Sequence, residues 1–132
     1  MRFVDANVFI YVLVGSPRED YETARRILRR IEGGEEAITS TAILQEVIDW
    51  LEYNGRRREV GDFLKAVNSY LTLRKASPTW EDMLSALDRM EEADLDYVDA
   101  LTLQIMAREG VEEIYSNDRD FDRVPGVRRI WR

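Results

Sequence analysis

Phe3-Val4-Asp5-Ala6-Asn7 decides how the rest of the chain is read. A short apolar run meets an acidic residue and then an amide, so Arg2 to Asp5 is expected to form the first and central strand of a sheet, with Asp5 at its carboxyl end. Ligands of open α/β sheets gather outside the carboxyl ends of the strands, near the point where strand order reverses, and an acid placed there is a site candidate. On this residue alone the plainer role, capping the helix that follows, is favoured. Three further acids downstream, each at the mouth of an element, shift the balance.

The bulk properties narrow the chemistry. The 132 residues are one domain's worth, enough to bury roughly two-thirds of the unfolded surface, and no repeat, linker or second domain interrupts them. A composition of 45% hydrophobic and 34% charged residues belongs to a folded globular protein. The net charge of −7 opposes a general nucleic-acid-coating role, which relies on excess Lys and Arg, but not a nuclease whose carboxylates are neutralised by metal. The chain has no Cys and no His, which excludes a disulfide, a thiol nucleophile, an imidazole base and the usual zinc site. Any catalysis must run on carboxylates, hydroxyls, amides and Arg, and a metal enzyme built this way would use a hard cation such as Mg²⁺ or Mn²⁺. The apolar run Val8 to Val14 is too short to span a bilayer and no small-residue cleavage site follows it, so a cytoplasmic protein without membrane association is expected.

Along the chain, Ser16-Pro17-Arg18-Glu19 reads as a capping box with proline at the first helical position. Tyr21, Ala24, Ile27, Leu28 and Ile31 continue at helical spacing until Gly33-Gly34, while Arg25, Arg26, Arg29 and Arg30 form the opposite, solvated face. Ala37-Ile38-Thr39 is a short strand, followed by a helix capped by Ser40 or Thr41 with Leu44, Val47, Ile48 and Leu51 inward and Glu46 beside them. After the break at Asn54-Gly55-Arg56 a third helix places Val60, Phe63, Leu64, Val67 and Leu71 inward. Leu73 to Ala76 is a poor strand by propensity. Ser77-Pro78-Thr79 begins a helix expected to bury Trp80, Met83, Leu84 and Leu87. Ala93-Asp94-Leu95-Asp96-Tyr97 leads into a helix with Val98, Leu101 and Ile105 inward and Asp99 in its first turn, closed by Gly110. Glu113 to Ser116 is a strand, Asn117 to Asp122 an acidic turn, and Val127 to Trp131 a last strand. Strands alternating with helices imply βαβ units and a parallel sheet covered on both sides.

Asp5, Glu46, Asp99 and Asp118 thus all follow strands or open helices, and in a right-handed parallel sheet those ends converge on one edge. Four acids together repel strongly at low effective dielectric and need a cation between them. Two other readings fail on particular residues. Aspartyl-phosphate chemistry asks for a second Asp two positions after the first and a well-placed Lys, whereas Asn7 stands there and Lys65 and Lys75 lie elsewhere. Asp118, Asp120 and Asp122 suggest a calcium loop, but Arg123 and Arg129 occupy the positions where an EF-hand requires Gly and Glu.

These residues resemble the PIN domain family, and within it the VapC-type toxins of prokaryotic toxin–antitoxin pairs. The resemblance is carried by Phe3-Val4-Asp5-Ala6-Asn7, by Ser40 to Glu46, by Tyr97-Val98-Asp99-Ala100-Leu101 and by Ser116-Asn117-Asp118-Arg119-Asp120-Phe121, in the family's order and spacing over nearly the whole chain. It implies a single PIN domain over residues 1–132, an α/β fold of three αβα layers with a mostly parallel sheet of about five strands, and Mg²⁺- or Mn²⁺-dependent hydrolysis of RNA. By the same resemblance Asp5, Glu46, Asp99 and Asp118 are the catalytic and metal-binding quartet, Asn7 and Ser116 support them, and Asp120 or Asp122 is an auxiliary ligand. A small antitoxin filling the acidic groove and a homodimer are the implied partners. The alternatives are a PIN-like module that binds RNA or protein without cutting, and a solitary nuclease of RNA maturation. Val8 to Val14 reads as a strand from propensity and as a helix from the family; the family reading is followed.

Overall fold

The structure, a computed structural model, describes residues 1–132. Five parallel strands form one sheet in the order β3-β2-β1-β4-β5: β1 (Arg2–Val4), β2 (Ala37–Ser40), β3 (Leu73–Ala76), β4 (Glu113–Tyr115) and β5 (Arg128–Ile130). β1 is central, and its Phe3 and Val4 are fully buried, as a strand covered on both faces requires, while Arg2 at its amino end pairs with Glu113 at the sheet's rim. Between β1 and β2 come α1 (Ala6–Val14) and α2 (Arg18–Glu32); between β2 and β3, α3 (Thr41–Tyr53), a 3-10 turn at Arg57–Glu59 and α4 (Val60–Ser69); between β3 and β4, α5 (Trp80–Ala93) and α6 (Tyr97–Glu109). The chain steps outward from β1 through β2 to β3, then returns across the sheet to β4. Right-handed crossovers therefore put α1 to α4 on one face and α5 and α6 on the other. The reversal falls between β1 and β4, and the carboxyl ends of those two strands form its crevice.

Val8 to Val14 lies in α1, with Val8 and Phe9 buried. Asp5 caps this helix from β-region backbone, and a helix started there can bury one face under α2 and α3, which outweighs the β preference of its branched residues. Leu73 to Ala76 does form a strand: every residue pairs with β2, and Leu73 and Ala76 are buried, while Arg74 and Lys75 suit the edge position.

Three expectations are corrected. The capping box at Ser16 does not form: the helix begins at Arg18 with Pro17 as its cap and no side-chain bond there, one residue out of register with the box. In α4, Phe63 and Val67 are buried, but Leu64 is 42% exposed and Leu71, beyond the helix end, is 94% exposed. The largest correction concerns α5. Trp80, Met83, Leu84 and Leu87 face outward, with Trp80 66% exposed, and the inward residues are Asp82 and Ala86. The inner face works with small and charged side chains: Thr79 and Asp82 form a capping box, the Asp82 carboxylate accepts from Gln104 Nε2 at 3.2 Å and from Arg108 Nη1, and Ala86 meets Ala100 and Leu101 of α6. Spacing alone shows an apolar stripe but not which side of the helix the neighbouring element covers.

Candidate metal centre

Asp5 follows β1 and is 5% exposed. Its Oδ1 accepts from the Ala6 N–H at 2.8 Å, and its Oδ2 accepts from Ser116 Oγ at 2.6 Å and Asn7 Nδ2 at 3.3 Å. Capping and site placement are therefore one arrangement. Ser116 is fully buried at the end of β4, and its hydroxyl oxygen accepts from the Asp118 N–H at 3.0 Å and Asn7 Nδ2 at 3.1 Å. Asn7 Oδ1 accepts in turn from the Asn117 N–H at 3.2 Å. A single hydroxyl thus ties the mouth of β1 to the turn after β4, because parallel neighbours deliver their carboxyl ends side by side.

The other acids arrive from helices. Ser40 caps α3, its Oγ accepting from the Ile43 N–H at 3.2 Å, and this sets Glu46 in the second turn. Asp99 stands in the first turn of α6. Asp118 caps the 3-10 turn at Arg119–Arg123, accepting from the Asp120 N–H at 2.9 Å. Carboxylate oxygens of Asp99, Asp118 and Asp120 lie within 4.8 Å of one another. Asp122, named with Asp120 from the sequence, does not join them: it is held by Arg129 at 2.9 and 3.2 Å, which keeps its pKa low.

The electrostatics show one coupled cluster. Burial, then the charges of Asp5, Asp118, Glu46 and Asp96, push Asp99 up to about 7. Burial also raises Asp5, against the pull of its bonds from Ser116 and Ala6, and Asp118 adds to the rise. Glu46 is open to solvent on its outer side, yet burial of its inner side, with Asp5 and then Asp49, raises it too. Glu46 therefore shares the field of the group without joining the close triad. An all-oxygen donor set whose members resist joint ionisation fits a hard divalent cation.

Two supporting residues escaped the sequence reading. Asn117 holds Asn7 through its backbone and donates to Tyr11 Oη at 2.8 Å through its side chain, and Thr39 Oγ1 donates to the Val4 carbonyl at 2.8 Å from a fully buried position on β2. The available signal was polar residues at strand exits, where apolar ones would otherwise fill the core.

The sequence profile of the PIN domain matches residues 2–127. Ribonuclease VapC13 of Mycobacterium tuberculosis is 28% identical over 134 residues, covering 98% of this chain and 99% of its own. Among solved structures, VapC20 of Mycobacterium tuberculosis, a sarcin–ricin loop cleaving toxin, shares the fold with a TM-score of 0.74 at 23% identity, covering 92% of this chain and 93% of that one. VapBC2 from Rickettsia felis, solved with a DNA fragment from its promoter, has the same TM-score of 0.74 at 13% identity over 99% of this chain and 98% of that one. With the profile spanning nearly all of its length, this chain belongs to the PIN domain family.

Proposed function

We propose that this chain, as one PIN domain over residues 1–132, is a Mg²⁺- or Mn²⁺-dependent endoribonuclease and the toxin of a toxin–antitoxin pair acting in the cytoplasm. The observation that carries the reading is the convergence of Asp5, Glu46, Asp99 and Asp118 at the reversal of the sheet, with Asp99 raised to about 7. The ribonuclease named among the relatives supports the substrate, and the VapBC assembly among the structural neighbours supports an antitoxin. No helix is long and apolar enough to cross a membrane.

In this reading Asp5, Asp99, Asp118 and Asp120 hold the cation through carboxylate oxygens, with Glu46 at the rim. When bound, the cation lowers the pKa of water and offsets charge on phosphate oxygens. Ser116 and Asn7 fix the Asp5 carboxylate and the Asp118 turn relative to each other, so the donors are oriented before substrate arrives. Glu46, whose pKa is raised by burial and by the nearby Asp5 and Asp49, is the group assigned to exchange a proton with the attacking water, a role the chain has no imidazole to fill. The family resemblance also implies a homodimer, for which the exposed α5 row is one apolar surface; the apolar residues of the Arg-rich α2 are mostly spent in the core.

The test is cleavage of a mixed RNA pool in Mn²⁺, Mg²⁺ or EDTA, with Asp5→Asn and Asp118→Asn run beside the parent. Cutting that needs metal and disappears in both variants, with circular dichroism unchanged, is expected. A folded, cation-binding parent that leaves RNA intact would turn the assignment toward a binding module.

A further inference from the structure

We infer that the cleft beside the carboxylates, built around Arg119, is a phosphate subsite that holds the RNA backbone next to the bond being cut; this rests on the RNA-hydrolysing reading above. The cleft, of about 290 Å³, is lined by Asn117, Arg119, Arg129, Trp131 and Arg132. Two of its lining residues tie it to the metal centre. Asn117 is bonded to Asn7, which is bonded to Asp5, and Arg119 stands in the chain between Asp118 and Asp120, two members of the close triad. Asn117 and Arg119 thus flank Asp118 in the chain and line the cleft, while the carboxylates themselves stand outside its lining.

The charges in the cleft are unequal. Arg129 is committed to Asp122 and donates to the Ser116 carbonyl. Arg132 is committed to Asp20 at 2.8 Å and Glu19 at 3.6 Å, and Trp131 Nε1 donates to Asp20 at 3.1 Å. Arg119 is exposed and forms no ion pair, and Asp122, whose carboxylate its charge favours, is already held by Arg129. A chain of net charge −7 thus keeps an unengaged guanidinium at the lip of its acidic cluster.

A phosphodiester suits that guanidinium. Its planar fork matches two phosphate oxygens, and such contacts set the register of a strand without reading its bases. The carboxylates repel an approaching polyanion on every side that lacks a cation, so Arg119 on one flank selects the direction from which the strand is laid across the site. Arg119 is a positioning residue: it engages a neighbouring phosphate, and the chemistry stays with the acids.

The experiment measures binding of a fluorescently labelled single-stranded RNA in Mg²⁺ on the full chain carrying Asp5→Asn, so that the strand survives. Arg119→Ala, Arg119→Lys and, as a control, Arg25→Ala on the outer face of α2 are added singly. Arg119→Ala is expected to weaken binding about tenfold and to reduce the slope of log affinity against log salt by about 0.7, the value for one phosphate on a single strand. Arg119→Lys should keep the slope and lose part of the affinity, while Arg25→Ala changes neither. In the otherwise native chain, Arg119→Ala should raise KM and leave kcat. Equal behaviour of Arg119→Ala and Arg25→Ala, or a loss in kcat at constant KM, overturns the subsite while the nuclease reading stands. A folded parent that neither binds nor cuts RNA overturns both.

Discussion

Replacing Asp99 by Asn should stabilise the protein at high pH in the absence of divalent cations while destroying its response to them. Asp99 titrates at about 7 in the folded chain against an ordinary value of 3.8. The folded state therefore binds the proton more tightly than the unfolded state. As pH rises from about 4 to about 7 the unfolded chain releases that proton first and stability falls; above about 7 the penalty is complete, and below about 4 it is absent. The full difference corresponds to about 4 kcal/mol at ~1.36 kcal/mol per pH unit, and solvent screening of this partly exposed group brings it to about 2 kcal/mol. The amide has the same shape and cannot ionise, so in EDTA at pH 8 the variant should melt roughly 5–10 °C above the parent, with the gap closing by pH 4. Adding Mn²⁺ should then raise the melting temperature of the parent, by mass action on the folded state, and have much less effect on the variant. Urea or thermal denaturation at the two pH values, with and without metal, provides the measurement. A variant no more stable than the parent at pH 8 in EDTA, or one whose gain is the same at pH 4, would refute the coupled-cluster account.

Ser116→Ala removes the hydroxyl that bonds Asp5, Asn7 and Asp118 together. It should cost about 1–3 kcal/mol of stability, because the Asp118 N–H and Asp5 Oδ2 lose a buried partner, and cleavage should slow; urea titration and initial rates test this, and a neutral substitution would show the tie to be incidental. Arg108→Ala leaves the Asp82 carboxylate with Gln104 Nε2 and the Thr79 backbone N–H as its remaining donors, and should lower stability by roughly 2–4 kcal/mol without changing cleavage per folded molecule, as denaturant midpoints and specific activity would reveal. Paired Leu84→Glu and Leu87→Glu substitutions on the outward face of α5 should leave the melting temperature within a few degrees, since neither side chain is buried. If α5 forms the homodimer surface, light scattering should show the parent as a dimer and this variant as a monomer; a monomeric parent would remove that role.

Much of this protein is written locally. The apolar run into Asp5, the strand-to-acid turn at Ser116 to Asp118, and the caps at Ser40, Thr79 and Gly110 each depend on near neighbours. The alternation of strands and helices together with the right-handed rule then implies a parallel sheet whose strand ends can gather the acids on one edge, while the pairing of the first and fourth strands is a property of the fold. The absence of His and Cys narrowed the chemistry to oxygen ligands before any fold was known. What the tertiary structure alone decided is where each face looks. Trp80, Met83, Leu84 and Leu87 carry a perfect buried-helix spacing and point outward, because α6 presents Gln104 and Arg108 to a charged inner face. Val8 to Val14 carries strand propensity and is helical because α2 and α3 cover it. The assignment of Asp120 to the cluster and Asp122 to Arg129 was decided the same way: both acids meet an arginine, Asp120 the helical neighbour Arg123 and Asp122 the Arg129 of β5, and only the fold shows which of the two also faces Asp99 and Asp118. Periodicity and capping depend on the nearest few residues and are legible in the chain, whereas burial and charge pairing depend on which distant surface arrives, and only the folded arrangement supplies it.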